Sequence, residues 1–244
     1  MQPKIIIISK KIIIAAMLFL MLSGLIRLTE VMAVRQWKQE MFKPGLAGKT
    51  VIIDPGHGGA DPGATLDGVK ESELNMAIAV ALQKELTKNG VKVRLTRQGD
   101  NGLVPMKKMT YSERWVILEK RKKFAQDHKG HILVSIHANS NKDPRASGGM
   151  VFYSDQLSRT LAESIQKQLN TLGMRRRQVE RGNFTIITGN QMTSVLVETG
   201  FITNEKDLLL LTEKKEAFSR VIFNGLREYT ENLKPIVSTT EGQK

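Results

Sequence analysis

Short apolar runs closed by turn residues alternate with segments of helical period along most of this chain, and that alternation restricts its fold more than any other feature. Thr50-Val51-Ile52-Ile53 runs into Asp54-Pro55-Gly56, the pattern of a buried strand ending in a turn. Ser72 stands where a helix cap is expected, and Leu74, Ile78, Leu82 and Leu86 recur every fourth residue up to Asn89-Gly90, an amphipathic helix with its stop signal. Val91, Val93 and Leu95 alternate as a second strand, Ser112 to Asp127 reads as a helix, and His131 to Ile136 as another strand. Strands are further predicted at Gly149–Tyr153, Phe184–Thr188 and Ser194–Val197, and helices at Asp155–Leu172 and Lys214–Leu233. Such a sequence predicts an α/β fold, a single three-layer domain with a central, mostly parallel sheet flanked by helices.

The first 33 residues differ in kind. Lys4, Lys10 and Lys11 precede an apolar run from Ile12 to Ile26 that closes at Arg27. A run of about 15 residues is short for a spanning helix of about 20 but suits the core of a signal peptide. Val31-Met32-Ala33 offers a small-residue cleavage pattern, whereas Arg27 and Glu30 before it, and Ile5 to Ile8 upstream, favour an uncleaved N-terminal membrane anchor. Both readings predict export across the cytoplasmic membrane. No polar face runs along Ile12 to Leu22, which argues against a helix buried in the domain. Residues 34–48, with Trp37, Lys38, Pro44, Gly45 and Gly48, read as a linker, 49–234 as the folded domain and 235–244 as a polar tail.

Composition narrows the chemistry. With no cysteine, neither a disulfide framework nor a thiolate metal site is available, so any transition metal must be held by His, Asp or Glu. The 37 Lys and Arg against 24 Asp and Glu give a net charge of +13, an attraction to polyanions that could be nucleic acid, an anionic membrane leaflet or an acidic wall polymer. Arg175, Arg176, Arg177 and Arg181 form the sharpest cluster, with only Phe184 nearby as an aromatic. Nucleic-acid binding interleaves such charges with stacking platforms or a recognisable motif, and neither is present.

In α/β sheets, function gathers at the carboxyl ends of strands, which selects Asp54 to His57, His137 to Asn139 and Glu198 to Phe201. His57 lies among glycines just after the first strand, and His137 ends another apolar run. A lone turn histidine is ordinary, but two at equivalent strand ends can converge on one metal. His128 and His131 flank a loop and are expected at the surface. Glu71 at the start of the first domain helix is either a carboxylate favoured by the helix dipole or a third ligand. His-Glu-His plus a water is the form of an open catalytic zinc site. Glu198 follows Val195-Leu196-Val197, where a carboxylate serves either a structural ion pair or proton transfer.

In this order, Asp54-Pro55-Gly56-His57-Gly58-Gly59, Thr96-Arg97, Ser135-Ile136-His137-Ala138-Asn139 and Val197-Glu198-Thr199-Gly200-Phe201-Ile202-Thr203-Asn204 resemble the zinc-dependent N-acetylmuramoyl-L-alanine amidases of the family-3 type. The likeness runs from Lys49 to Leu233. It implies a Zn2+ cofactor held by His57, Glu71 and His137, with Glu198 as the catalytic glutamate; Glu73 stands only two positions from Glu71 and is the rival for its place. Asn139 and Arg97 become candidates for contacts with the substrate or its tetrahedral oxygen. The implied substrate is peptidoglycan, glycan strands with stem peptides, cut between the muramic acid lactyl group and L-alanine. Tyr111-Ser112-Glu113-Arg114 and the short exported layout look most like the germination-specific amidases of spore-forming bacteria, which prepare spore-cortex glycan for muramic δ-lactam formation. A vegetative autolysin or cell-separation amidase is the nearest alternative, followed by a zinc peptidase on free peptides and a non-catalytic wall-binding protein. Some cell-division relatives block their zinc site with an inserted helix, whereas Ser154 to Gly173 has room for one ordinary helix. Control by timing of synthesis or by an activator protein is therefore expected.

Overall fold

The computed structural model describes residues 9–41, 45–99 and 111–233. Its elements in chain order are α1 (Lys10–Met41), β1 (Thr50–Pro55), β2 (Thr65–Leu66), β3 (Val69–Lys70), α2 (Glu71–Lys88), β4 (Lys92–Leu95), α3 (Tyr111–Asp127), β5 (Ile132–Asn139), β6 (Met150–Tyr153), α4 (Gln156–Leu169), β7 (Glu180–Arg181), β8 (Thr193–Phe201), α5 (Glu205–Glu213) and α6 (Lys215–Glu231). The chain divides into one unit that contains α1 and a second that spans Lys43–Pro235.

Helix α1 exposes its apolar side chains all round, with Phe19 71% and Met21 75% accessible. Its part from Ile12 to Leu22 has no polar face, and its Lys10–Trp37 stretch of 28 residues is long and apolar enough to cross a bilayer. The helix continues to Met41, so the first part of the expected linker is helical.

In the second unit six strands lie in the order β4-β1-β5-β8-β6-β7. β1 is parallel to β4 and β5, and β5 to β8, whereas β6 runs antiparallel to β8 and β7 runs parallel to β6. Val51 to Ile53, Val134, Ile136, Val195 and Val197 are fully buried, as unbroken apolar strands covered on both faces must be. Leu74, Ile78 and Leu82 of α2, Leu161 and Ile165 of α4, and Phe218, Ile222 and Leu226 of α6 form the core on one face. Ile117 and Ala125 of α3, with Ile186, Ile187 and Met192, are buried outside that cluster. The architecture is the three-layer, mostly parallel sheet that the alternation predicts.

Several local expectations change. Phe184–Thr188 forms turns, with Ile187 N and Thr188 N both donating to Phe184 O; the short strand of this region is β7. Ser72 is buried inside α2 and is not its cap, because the helix begins at Glu71 with Lys70 at the cap position, where no side chain caps the backbone. The span 205–213 is a separate helix, capped by Asn204, whose side chain accepts from Asp207 N. His131 is buried, with its Nδ1 accepting from Thr50 N at 3.1 Å, rather than exposed on a loop. Strands β5 and β8 run on to Asn139 and Phe201, so His137 and Glu198 lie within strands rather than beyond them.

Candidate active site

At the end of β1 the backbone turns sharply: His57 adopts φ +59°, followed by Gly58 at +110° and Gly59 at +65°. A non-glycine residue in that left-handed region costs about 1 kcal/mol or more and persists only where its surroundings impose it. Here buried arginines impose it. Arg121 of α3 donates to Pro55 O at 3.0 Å and His57 O at 2.5 Å. Arg97 donates to Pro55 O at 2.8 Å and Gly56 O at 3.0 Å, and also to Ser72 O at 2.8 Å and Gly99 O at 2.6 Å. The structure thus places Arg97 beneath the turn, bonded to backbone carbonyls. Asp54 underpins the same corner, accepting from Thr96 Oγ1 at 2.5 Å, Arg121 at 3.1 Å and Ser135 Oγ at 2.7 Å. Burial opposes its ionisation, but Arg121 first and then the two hydroxyls hold its pKa below the usual carboxylate value.

The turn delivers His57, β5 delivers His137, and the first residue of α2 delivers Glu71. Their ligand atoms lie within 4.8 Å of one another. Glu71 Oε1 stands 3.1 Å from His57 Nε2 and 3.0 Å from His137 Nδ1. Its carboxylate is fixed from behind by Ala64 N at 3.0 Å, Ala138 N at 3.2 Å and Asn75 Nδ2 at 3.3 Å. Glu73 is exposed and paired with Lys70 instead. Glycine makes the room: a Cβ on Gly56 would strike the His137 ring, and one on Gly63 would come within 2.5 Å of Glu71 Oε2.

This donor set fits zinc. A tetrahedral ion with bonds of about 2.0–2.1 Å holds its ligand atoms about 3.3 Å apart, close to the 3.1 and 3.0 Å that separate Glu71 from the two imidazoles. The cluster also favours positive charge. Burial alone would lower the His57 pKa, but hydrogen bonds to Asp61 and then Glu71 raise it to about 9. Burial would raise that of Glu71, but the hydrogen bonds of His137 and His57 bring it well below the carboxylate range. Asp61 Oδ2 lies 3.0 Å from His57 Nδ1, orienting the ring so that Nε2 faces Glu71, and Asp61 is itself held by Gly63 N at 3.2 Å and Arg114 at 3.4 Å. The sequence reading did not single out Asp61; its signal is a carboxylate four residues after His57 in a glycine-rich loop.

Glu198 pairs in register with His137 across the β5–β8 ladder, which shifts register between His137 and Asn139, an irregularity common beside active sites. Its Oε2 is buried and, among the described residues, has no hydrogen-bond partner. Burial first, opposed by His137, reinforced by Glu71 and opposed by His57, pushes its pKa up to about 7. An unpaired carboxylate beside a cluster that attracts cations is suited to moving protons. Asn139 accepts from Ser140 N through its Oδ1 at 2.7 Å, which leaves its amide hydrogens as the donors it can offer.

Fold and site together define an α/β domain whose sheet end carries a His-Glu-His cluster able to hold a metal ion, beside a buried carboxylate. Residues 51–228 match the Amidase_3 family model, described as N-acetylmuramoyl-L-alanine amidase, and the chain belongs to that family. It is 36% identical over 190 residues to the uncharacterized protein YqiI of Bacillus subtilis, covering 75% of this chain and 86% of that one. It is 34% identical over 195 residues to the N-acetylmuramoyl-L-alanine amidase LytC of the same organism, covering 77% of this chain but only 37% of LytC. Among solved structures, the CwlD amidase of Clostridioides difficile, in complex with the GerS lipoprotein, aligns with a TM-score of 0.70 and 32% identity, over 75% of this chain and 98% of the matched chain.

Proposed function

We propose that this chain is an exported, zinc-dependent amidase that hydrolyses the bond between N-acetylmuramic acid and L-alanine in peptidoglycan, with its main role in the spore cortex. The observation that carries the chemistry is the unpaired, buried Oε2 of Glu198 beside His57, Glu71 and His137. These three residues would hold the ion, and Asp61 sets the His57 ring. Zinc bound there would supply a Lewis acid, able to acidify water and polarise the scissile carbonyl. Glu198 takes the proton of the attacking water at Oε2 and returns it to the departing alanine nitrogen. Asn139 offers its side-chain amide to the tetrahedral oxygen.

Export and tethering are supported by α1, long and apolar enough to span a bilayer. The cortex role, rather than vegetative autolysis, is supported by the Tyr111–Arg114 stretch and by the likeness to CwlD. That amidase was solved in complex with a lipoprotein, so we extend to this chain an activator partner. The deciding experiment is mass spectrometry of peptidoglycan fragments after incubation with zinc-loaded protein. Free stem peptides beginning with L-alanine, together with peptide-free glycan, are expected; cuts only within the stem would make the chain a peptidase.

A further inference from the structure

The run Arg175-Arg176-Arg177 has no part in the chemistry above, yet the fold brings it to the same end of the sheet. Its backbone is fixed. Asn170 accepts from Arg177 N at 3.0 Å through Oδ1 and donates to Arg177 O at 2.9 Å through Nδ2. Arg175 O packs so close to Gly148, at φ +99°, that a Cβ there would collide with it. The Arg177 side chain is ordered too: Nε donates to Ser147 O at 3.0 Å, and the guanidinium carbon lies 5.7 Å from the centre of the Phe201 ring. Among the described residues, neither Nη of Arg177 has a hydrogen-bond partner, and neither Arg175 nor Arg176 has an ion pair.

Arg177 with Arg175, Arg145, Asn141, Asp143 and Ala146 lines a cavity of about 450 Å³. Arg145 is committed to Asp143 through contacts of 2.9 and 3.0 Å, so Arg175 and Arg177 carry the uncompensated charge of that lining. Arg177 and Arg176 also line a neighbouring cavity of about 610 Å³. A half-buried, pre-oriented fork of donors facing an open cavity is built for a planar oxyanion.

Its position identifies which one. Phe201, under Arg177, pairs with Asn139, two residues past His137, and lies three residues past Glu198 on β8. At about 3.3 Å per residue the backbone positions of Glu198 and Phe201 are about 10 Å apart along the strand. An extended peptide advances about 3.3–3.6 Å per residue, so a chain leaving the scissile amide reaches Arg177 at its second or third residue. We propose that Arg177, supported by Arg175, binds a carboxylate of the stem peptide two or three residues beyond the scissile bond and so selects substrates that carry a free acid there. This inference rests on the amidase reading.

The test uses the full zinc-loaded chain and matched muropeptides whose stem carboxylates are either free or converted to carboxamides. Wild-type protein is expected to prefer the free acid through KM. Arg177→Gln is expected to raise KM for the free-acid stem about tenfold or more, as loss of a charged hydrogen bond does, and to alter the carboxamide stem far less. Arg177→Lys should recover part of the preference. Thermal unfolding of each variant monitors the fold. Equal losses on both stems, or no loss on either, overturn the assignment. So does competition by poly(glycerol phosphate) that Arg177→Gln abolishes while stem amidation has no effect, since that would give the arginines to a phosphate polymer. Should wild-type protein cleave neither muropeptide, it is the amidase reading that fails, and the wild type shows this before any variant is compared.

Discussion

Arg121 donates to the carbonyl oxygen of His57 at 2.5 Å, and its other terminal nitrogen reaches Asp54 at 3.1 Å, so one buried side chain of α3 holds the candidate ligand in its left-handed conformation. Arg121→Met should destabilise the domain by about 3–5 kcal/mol, because it leaves Asp54 as a buried charge without its partner. Arg121→Lys should fall between, since an ammonium cannot reproduce the planar fork. Urea unfolding checks the stability, and zinc titration of both variants should show weakened binding. Wild-type stability in Arg121→Met would show that the turn holds itself.

Asp54 gives a pH dependence of known sign. Folding lowers its pKa from the model-peptide value of 3.8, so its contribution is present above that pH and fades as pH falls through the lower folded value. The unfolding free energy, measured from pH 6 to pH 2, should fall in the wild type and fall less steeply in Asp54→Asn, which starts from lower stability. Parallel curves for the two proteins would remove Asp54 from the acid response.

The metal assignment separates Glu71 from Glu73. His57→Ala, His137→Ala and Glu71→Gln should each lose most bound zinc, whereas Glu73→Gln, on an exposed side chain paired with Lys70, should keep about one ion per chain. Elemental analysis of purified protein decides it. Undiminished zinc in both histidine variants would sink the site.

Glu198→Gln keeps the shape of the side chain but cannot accept a proton. It should remain folded, hold zinc and bind muropeptide while the rate of cleavage falls by about 10²- to 10⁴-fold. A variant that cleaves near the wild-type rate, or that loses zinc as His57→Ala does, would take the proton-transfer role from Glu198.

Periodicity and turn chemistry are local, and what they determine was legible in the sequence by itself: the helix through Leu74 to Leu86, the central apolar strands, the three-layer architecture, and the placing of His57, His137 and Glu198 near the carboxyl ends of strands. Phe184–Thr188 misled because a short apolar run reads alike whether it pairs in a sheet or closes a turn over buried Ile186 and Ile187. Placement immediately ahead of the helix favours Glu71 over Glu73 in the sequence, but only the tertiary structure revealed the contacts, with Glu71 meeting His57 and His137 and Glu73 paired with Lys70. It alone revealed that Arg97 and Arg121 grip the ligand turn, for these bonds join residues 41 to 67 positions apart along the chain. It alone left Glu198 with an unpaired oxygen. Burial and hydrogen-bond partners belong to the packed fold, and no local pattern encodes them.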